Sequence, residues 1–572
     1  MEPEIPFRIG EFEFDPERQT VSGPEGEVHL EPKPMAVAAH LAARPGRLIT
    51  RDELIRAVWD DYPGADQSLS NAVSRLRAVT ADSAQSPRII QTVPRRGYRL
   101  RAAAAGDARR KGIAVLPLRN LGNDPGDEYL AEGLAEDLIN SLSRVSGLRV
   151  VARTASFALA SRDATIDELA ERLDVDYVLE GSVQRSDDQV RIRVRLVEAG
   201  SASQVWAEDY RLDWSDLLRI QDAITSSVMD QLHTELGFDL PKSSRQSTRS
   251  VHPDAFALYL KGRYFWDREN TNPGKALNYF LKAIELDPDF AAPYAGLVDC
   301  YCTYAVWQLM DQDEARIKGL DYAARALNLD PDSPDARFSY GYAQFYFGWN
   351  WDEAYRAFHQ ALERDPEHIL ATAFLGMLCA VLRRDDEARR LAERLVEIDP
   401  VSTWCAYFTS IISYYLRDFE RAAWWAKETL ELTPGFLPCL WLGGSSLAHL
   451  GRVDEAIPII RELENRCGQA DLFRGCAIAS YAVCERRGEA ERAFTELKRH
   501  DGERGVSPLV FSLTLAALGR ADEALAALQE AYEEHNATMF YISREPFIDP
   551  IRHRPEFRDL LRRLRLPPGF PT

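Results

Sequence analysis

Five polar side chains on one short stretch, Ser70, Asn71, Ser74, Arg75 and Arg77, are of the types that read and hold nucleic acid. Asn and Arg present paired hydrogen-bonding groups to base edges, and Arg and Ser donate to phosphate oxygens. Among them stand Leu69, Ala72, Val73 and Leu76, with Leu69, Val73 and Leu76 at i, i+4 and i+7. That spacing predicts a helix with one buried stripe and the five polar residues turned outward, and a DNA major groove admits such a helix. Residues 89–93 and 98–100 then read as two strands, with Arg95, Arg96 and Gly97 at the tip between them. Glycine permits a tight reversal, and two arginines on a projecting tip can reach a phosphate backbone or a minor groove.

Local charge agrees with this reading. From Asp66 to Arg101 there are seven Arg against two Asp, on a chain of 572 residues with a net charge of −20. The balance is −1 over residues 1–105, −7 over 106–250 and −12 over 251–572. Such acidity excludes a protein that coats nucleic acid throughout, confines DNA contact to one patch, and predicts that the long C-terminal part faces away from DNA. The plainer alternative is that Arg75 and Arg77 pair with acids of their own domain and the tip is a solvated hairpin.

The elements that must hold this patch are legible upstream. Residues 7–14 and 27–30 read as short strands, and 33–44 and 51–59 as helices. The second helix is entered through Thr50 with Glu53 three residues on, a capping-box arrangement. With PGRLITRDELIRAVW (45–59), SRLR (74–77) and TVPRRGYRL (92–100), the stretch resembles the effector domain of OmpR/PhoB response regulators, in the variant used by CadC-like one-component activators. The resemblance implies a winged helix-turn-helix (α+β) over residues 1–102 and double-stranded promoter DNA as its partner. The contacts would come from Ser70, Asn71, Ser74, Arg75, Arg77, Arg95 and Arg96, with self-association or tandem binding to repeated half-sites. Family members usually continue the recognition helix with lysines, where this chain has Ala78, Val79 and Thr80.

Residues 103–112 read as a linker, at the position where CadC-like proteins place a membrane helix. Over 113–237 the order strand, helix, strand, helix, antiparallel strands predicts an α/β domain. Its IAVLPLRNL, EGLAEDLINSL, VDYVLEGSVQR and QVWAEDYRLD resemble the TolB amino-terminal-like domain, found between output domains and repeats in bacterial regulators and some adenylate cyclases. Arg191, Arg193 and Arg195 share one strand face, which suits either an anionic ligand or, more commonly, a solvated sheet surface. A second linker is expected over 238–253.

Alanines recur at 354, 388, 422, 456, 490 and 524, each 34 residues from the last, and Pro288, Pro331, Pro366, Pro400 and Pro434 punctuate a related register. This is the tetratricopeptide (TPR) period. It predicts an all-α superhelical solenoid over 254–545 with seven to nine repeats, an insertion near Leu309–Arg316, and a capping helix and tail over 546–572. A protein or peptide in the TPR groove is the expected partner. Trp349, Trp351, Trp404, Trp424, Trp425, Trp441, Tyr414 and Tyr415 could line that groove or, more commonly in such repeats, pack it.

No run approaches the ~20 apolar residues that span a bilayer, and Met1 is followed by acids and prolines, not by a secretory signal. A cytoplasmic location without membrane contact is therefore expected. The eight cysteines show no CxxC spacing and predict reduced, buried thiols. No cyclase catalytic domain, receiver domain, P-loop or acid–base constellation is present, so neither a cofactor nor a catalytic or metal site is expected. The sequence reads as a one-component transcriptional regulator, whose layout resembles that of the soluble activators of enteric invasion genes. A TPR scaffold whose winged helix contacts protein is the alternative, favoured by the thin basic supply after Arg77.

Overall fold

The computed structural model describes residues 7–567, apart from 10–11, 24–25, 43–47, 60–61, 63–64, 81, 83–88, 94–96, 101–110, 123, 125–126, 144–147, 152, 154–155, 158–164, 174, 187–188, 200–202, 215–222, 225, 229, 232–250, 269–272, 307–308, 400–401 and 469. The chain divides into two units, residues 1–110 and 111–572. Both expected linkers fall almost wholly outside the described residues.

The first unit opens with an antiparallel sheet of β1 (Phe7–Ile9), β2 (Phe12–Asp15), β3 (Thr20–Gly23) and β4 (Gly26–His29). The run expected as one strand over 7–14 is two strands folded on each other, which stacks Phe7 on Phe14 at 5.1 Å. Helices α1 (Pro32–Ala42), α2 (Arg51–Trp59) and α3 (Ala65–Val79) follow, with β5 (Leu48–Thr50) between the first two. The chain then returns as β6 (Ile90–Val93) and β7 (Gly97–Leu100), in a sheet ordered β5-β7-β6. Thr50 caps α2 by accepting from the Glu53 amide at 3.1 Å, as the sequence predicts. Leu41, Leu54, Leu69, Val73 and Leu76 bury one core beneath α3.

The second unit begins with a six-stranded sheet. Strands β8 (Lys111–Val115), β9 (Arg119–Asn120), β10 (Leu148–Val150) and β11 (Tyr177–Ser186) pair in parallel, and β12 (Gln189–Glu198) and β13 (Ser203–Asp213) extend the sheet antiparallel. The principal order is β10-β8-β11-β12-β13, with β9 against β11. Successive residues of β8 serve opposite faces. Ile113 and Val115 pack with helix α4 (Glu128–Ser143), and Ala114 and Leu116 pack with the helix Ile166–Leu173.

Eight helix pairs follow among the described residues, from Pro253 to Glu533. The six alanines at 34-residue spacing are all fully buried, because only a small side chain lets paired helices approach there. In the second pair the helices Ala291–Val306 and Gln312–Leu329 have 16 and 18 residues, against 13 and 14 in Ile369–Val381 and Asp385–Ile398. The expected insertion is thus largely added helix. All eight cysteines are buried and free.

The first array helix, Pro253–Arg268, belongs to two cores. Phe256, Ala257 and Leu260 pack with α4 and the sheet, and Tyr259 and Phe265 also pack with the repeats. A Cβ on Gly133 of α4 would lie 2.8 Å from the Leu260 side chain, so glycine sets the approach. Arg263 bonds Glu136 of α4 at 3.0 Å.

After Glu533 the chain forms two 3-10 turns, Met539–Ser543 and Pro546–Ile551, before the closing helix Pro555–Arg563. This strap crosses the C-terminal ends of the first helices of successive pairs. Phe540 meets Phe345 (ring centroids 4.1 Å apart) and Tyr541 stacks on Tyr415 (5.3 Å). Arg544 donates to the Ala380 carbonyl and pairs with Asp385. Glu545 accepts from the Tyr414 hydroxyl at 2.9 Å, and Asp549 takes both arms of Arg417 at 2.7 and 2.9 Å. The strap covers surface that the sequence reading left open to a partner. Of the large aromatics weighed above, Trp351, Trp425, Trp441, Tyr414 and Tyr415 are buried, while Trp404 is 37% exposed.

Candidate nucleic-acid interface

Helix α3 is anchored by Leu69, Ala72, Val73 and Leu76, all buried, and it starts three residues before the SLSN run. The opposite face is polar. Gln67, Ser68, Asn71, Ser74, Arg75 and Ala78 are exposed, with Gln67, Asn71 and Arg75 one helical turn apart in a line. The Gln67 amide donates to Asn71 Oδ1 at 3.1 Å, which leaves the Asn71 amide nitrogen and the Gln67 carbonyl to other partners.

Not all seven candidate residues face out. Ser70 is half-buried and accepts from Arg51 at 3.1 Å. Ser74 donates to the Ser70 carbonyl at 2.9 Å. Arg75 reaches Glu31 at 3.3 Å, with both side chains about half exposed. The Glu31 carboxyl is held below its ordinary range, first by its own backbone hydrogen bond and then by Arg75.

Arg77 departs most from expectation: it is 9% exposed and donates to the Ile90 carbonyl at 2.7 Å and to Thr92 Oγ1 at 2.8 Å. The cause is helical phase. Arg77 lies four residues after Val73, at the edge of the buried stripe, where it meets β6. Arg95 and Arg96 lie outside the described residues.

The wing itself is described up to the tip. Strands β6 and β7 pair from Ile90–Leu100 to Val93–Gly97. A Cβ on Gly97 would sit 2.1 Å from the Ile49 carbonyl oxygen of β5, so glycine serves the close packing of the sheet as well as the reversal. Arg51 on α2 donates to the Tyr98 hydroxyl on β7 at 2.9 Å. Sequence reasoning missed Arg51, Gln67 and Ser68. Carrying the α3 stripe one turn toward its N-terminus would have found the last two.

In the second unit, the arginines on one face of β12 pair with carboxylates of its neighbours. Arg191 and Arg193 pair with Asp209 of β13, and Arg195 pairs with Glu180 of β11. The Arg191 hydrogen bond pulls the Asp209 carboxyl down to about 2. Among the described residues no group of side chains could hold a metal ion, and no helix is long and apolar enough to cross a membrane.

A three-helix unit with a two-strand wing and an exposed polar face on its third helix is the architecture of a winged-helix DNA reader. Residues 25–100 match the family described as "Transcriptional regulatory protein, C terminal", so the first unit carries an OmpR/PhoB-type DNA-binding domain. Residues 109–227 match the second domain of HilA/YgeH-like transcriptional regulators, and 350–404 match a tetratricopeptide repeat.

Among individual proteins, the chain is 32% identical over 230 residues to "Putative adenylate cyclase 3" of Rhizobium meliloti, covering 40% of this chain and 39% of that one. It is 21% identical over 441 residues to "Transcriptional regulator HilA" of Salmonella typhi, covering 68% of this chain and 77% of the relative. Of solved structures, the RstA DNA-binding domain of Klebsiella pneumoniae in complex with the RstA box shares 30% identity and a TM-score of 0.16, covering 17% of this chain and 96% of that chain.

Proposed function

We propose that the chain is a one-component regulator that reads promoter DNA through α3 and answers to a partner or ligand engaged by residues 111–572. The observation that carries the reading is the line Gln67, Asn71 and Arg75 on the exposed face of a helix anchored by its opposite side. Asn and Gln recognise adenine through two hydrogen bonds, and Arg recognises guanine or phosphate. Ser68 flanks the line as a phosphate donor, while Arg95 and Arg96 supply charge at the wing tip. Because the basic supply is thin, binding is by dimers or tandem copies at repeated half-sites. The second unit keeps its TolB-like reading as part of the proposal, as the body that receives the signal and passes it to the reader.

A titration of salt tests this. The full chain, offered DNA selected by it from a random pool, should bind with log K falling linearly in log salt at a slope of about −3 per protomer. Absence of salt-sensitive binding would leave the scaffold reading, which gains from the inward turn of Arg77 and the Glu31–Arg75 pair.

A further inference from the structure

Two arginines of the winged helix join the helices to the wing strands in one pattern. Arg77 leaves the C-terminal turn of α3 and donates twice to β6, at Ile90 O (2.7 Å) and Thr92 Oγ1 (2.8 Å), with its guanidinium buried. Arg51 leaves the first turn of α2 and donates to Tyr98 Oη on β7 (2.9 Å) and to Ser70 Oγ on α3 (3.1 Å). Its guanidinium carbon also lies 5.8 Å from the centre of the Tyr98 ring. Asp82, just past α3, accepts from the Ile89 and Ile90 amides at 3.1 and 2.8 Å. Each wing strand is therefore tied to the recognition helix or its neighbour by an arginine. Arg75, by contrast, pairs with the exposed Glu31 carboxylate and can turn to another anion.

We propose that Arg77 and Arg51 are positioning residues that brace the wing strands β6 and β7 against the recognition helix, so that helix and strands present one fixed spacing to DNA. This rests on the reading of the domain as a DNA reader, but assigns these two arginines a role other than contact. The chemistry favours it: the Arg51 guanidinium holds its two acceptors through separate nitrogens in a fixed fork, Arg77 holds both of its acceptors through one Nη, and a buried guanidinium released from its acceptors leaves an unpaired charge. A lysine at position 51 would keep the charge and lose the fork.

The test is a double-mutant cycle in the full chain, combining Arg77→Met with Arg95→Ala/Arg96→Ala and reading DNA affinity against salt. A brace acts through the wing tip. Arg77→Met should then weaken binding about tenfold in the otherwise intact chain, and less than about twofold once the tip arginines are gone. A phosphate contact would instead cost the same factor in both backgrounds and flatten the salt slope by about one in both; that result overturns the proposal. Arg51→Lys should behave like Arg51→Met under the brace, and near-wild-type binding by it would contradict the fork. A second arm does not depend on DNA: amide exchange at Ile90–Val93 should quicken about tenfold in Arg77→Met and, at Tyr98, in Arg51→Met. Unchanged exchange sinks the brace. If no DNA binding is found at all, the DNA reading fails and this arm alone decides the brace.

Discussion

Asn71 and Arg75 make different demands on DNA, so their loss should look different. Asn71→Ala should relax preference at one base position by about 1–3 kcal/mol while leaving the salt slope alone, read by binding to single-substituted sites. Arg75→Ala should lower affinity for all sequences and flatten the slope by about one. Removing its exposed partner, as in Glu31→Gln, should raise non-specific affinity instead, because Arg75 is then released from a competing carboxylate. The outward face of α3 was legible because the apolar spacing of Leu69, Val73 and Leu76 fixes helical phase. Arg77 was misplaced because it stands at the margin of that stripe, where phase alone does not decide between solvent and a neighbouring strand. Only the return of β6 settles it. The Ser70 hydroxyl was misjudged for a similar reason, since its partner Arg51 lies on another helix.

The strap from Met539 to Ile551 is the element that sequence periodicity left dark. It carries no 34-residue signal, so its packing across the helix ends was invisible, whereas the buried alanines of the pairs were read directly. Its seat depends on Glu545, 2% exposed, whose carboxyl is pushed up to about 7, chiefly by burial. Tyr414, the Phe547 amide, Arg417 and Arg552 oppose the rise without cancelling it. A carboxyl raised in the folded state stabilises it below the unfolded value, and that contribution is lost as pH rises through the folded value. Protection of 539–551 from amide exchange should therefore fall between about pH 5 and pH 8 by up to about 2–3 kcal/mol relative to Glu545→Gln. Buried His449, lowered to about 4 by burial and then by Arg417, has the opposite sign and gains over about pH 4 to 6.5. It is common to both chains and cancels in their comparison. Equal pH dependence in the two would show that Glu545 titrates as an ordinary carboxylate.

At the scale of the molecule, helix Pro253–Arg268 packs with both the α/β layer and the repeats, so the two share core residues. Gly133→Val should cost about 1–3 kcal/mol and split the thermal unfolding of the second unit into two steps, because it forces α4 off Leu260. A single unshifted transition would mean that this contact does not join the layers. The repeats followed from their period, the α/β domain from its order of strands and helices and the winged helix from its resemblance, but this union did not, because the residues that make it lie far apart in sequence.

The central claim is that an acidic chain of net charge −20 reads DNA through one small face. The most direct test is the salt dependence of full-length binding to its selected DNA, in the intact chain and in one carrying Asn71→Ala, Arg75→Ala, Arg95→Ala and Arg96→Ala. The account predicts a slope of about −3 per protomer, falling to near zero in the quadruple variant. A slope unaltered by those four substitutions would place the DNA contact elsewhere and contradict it.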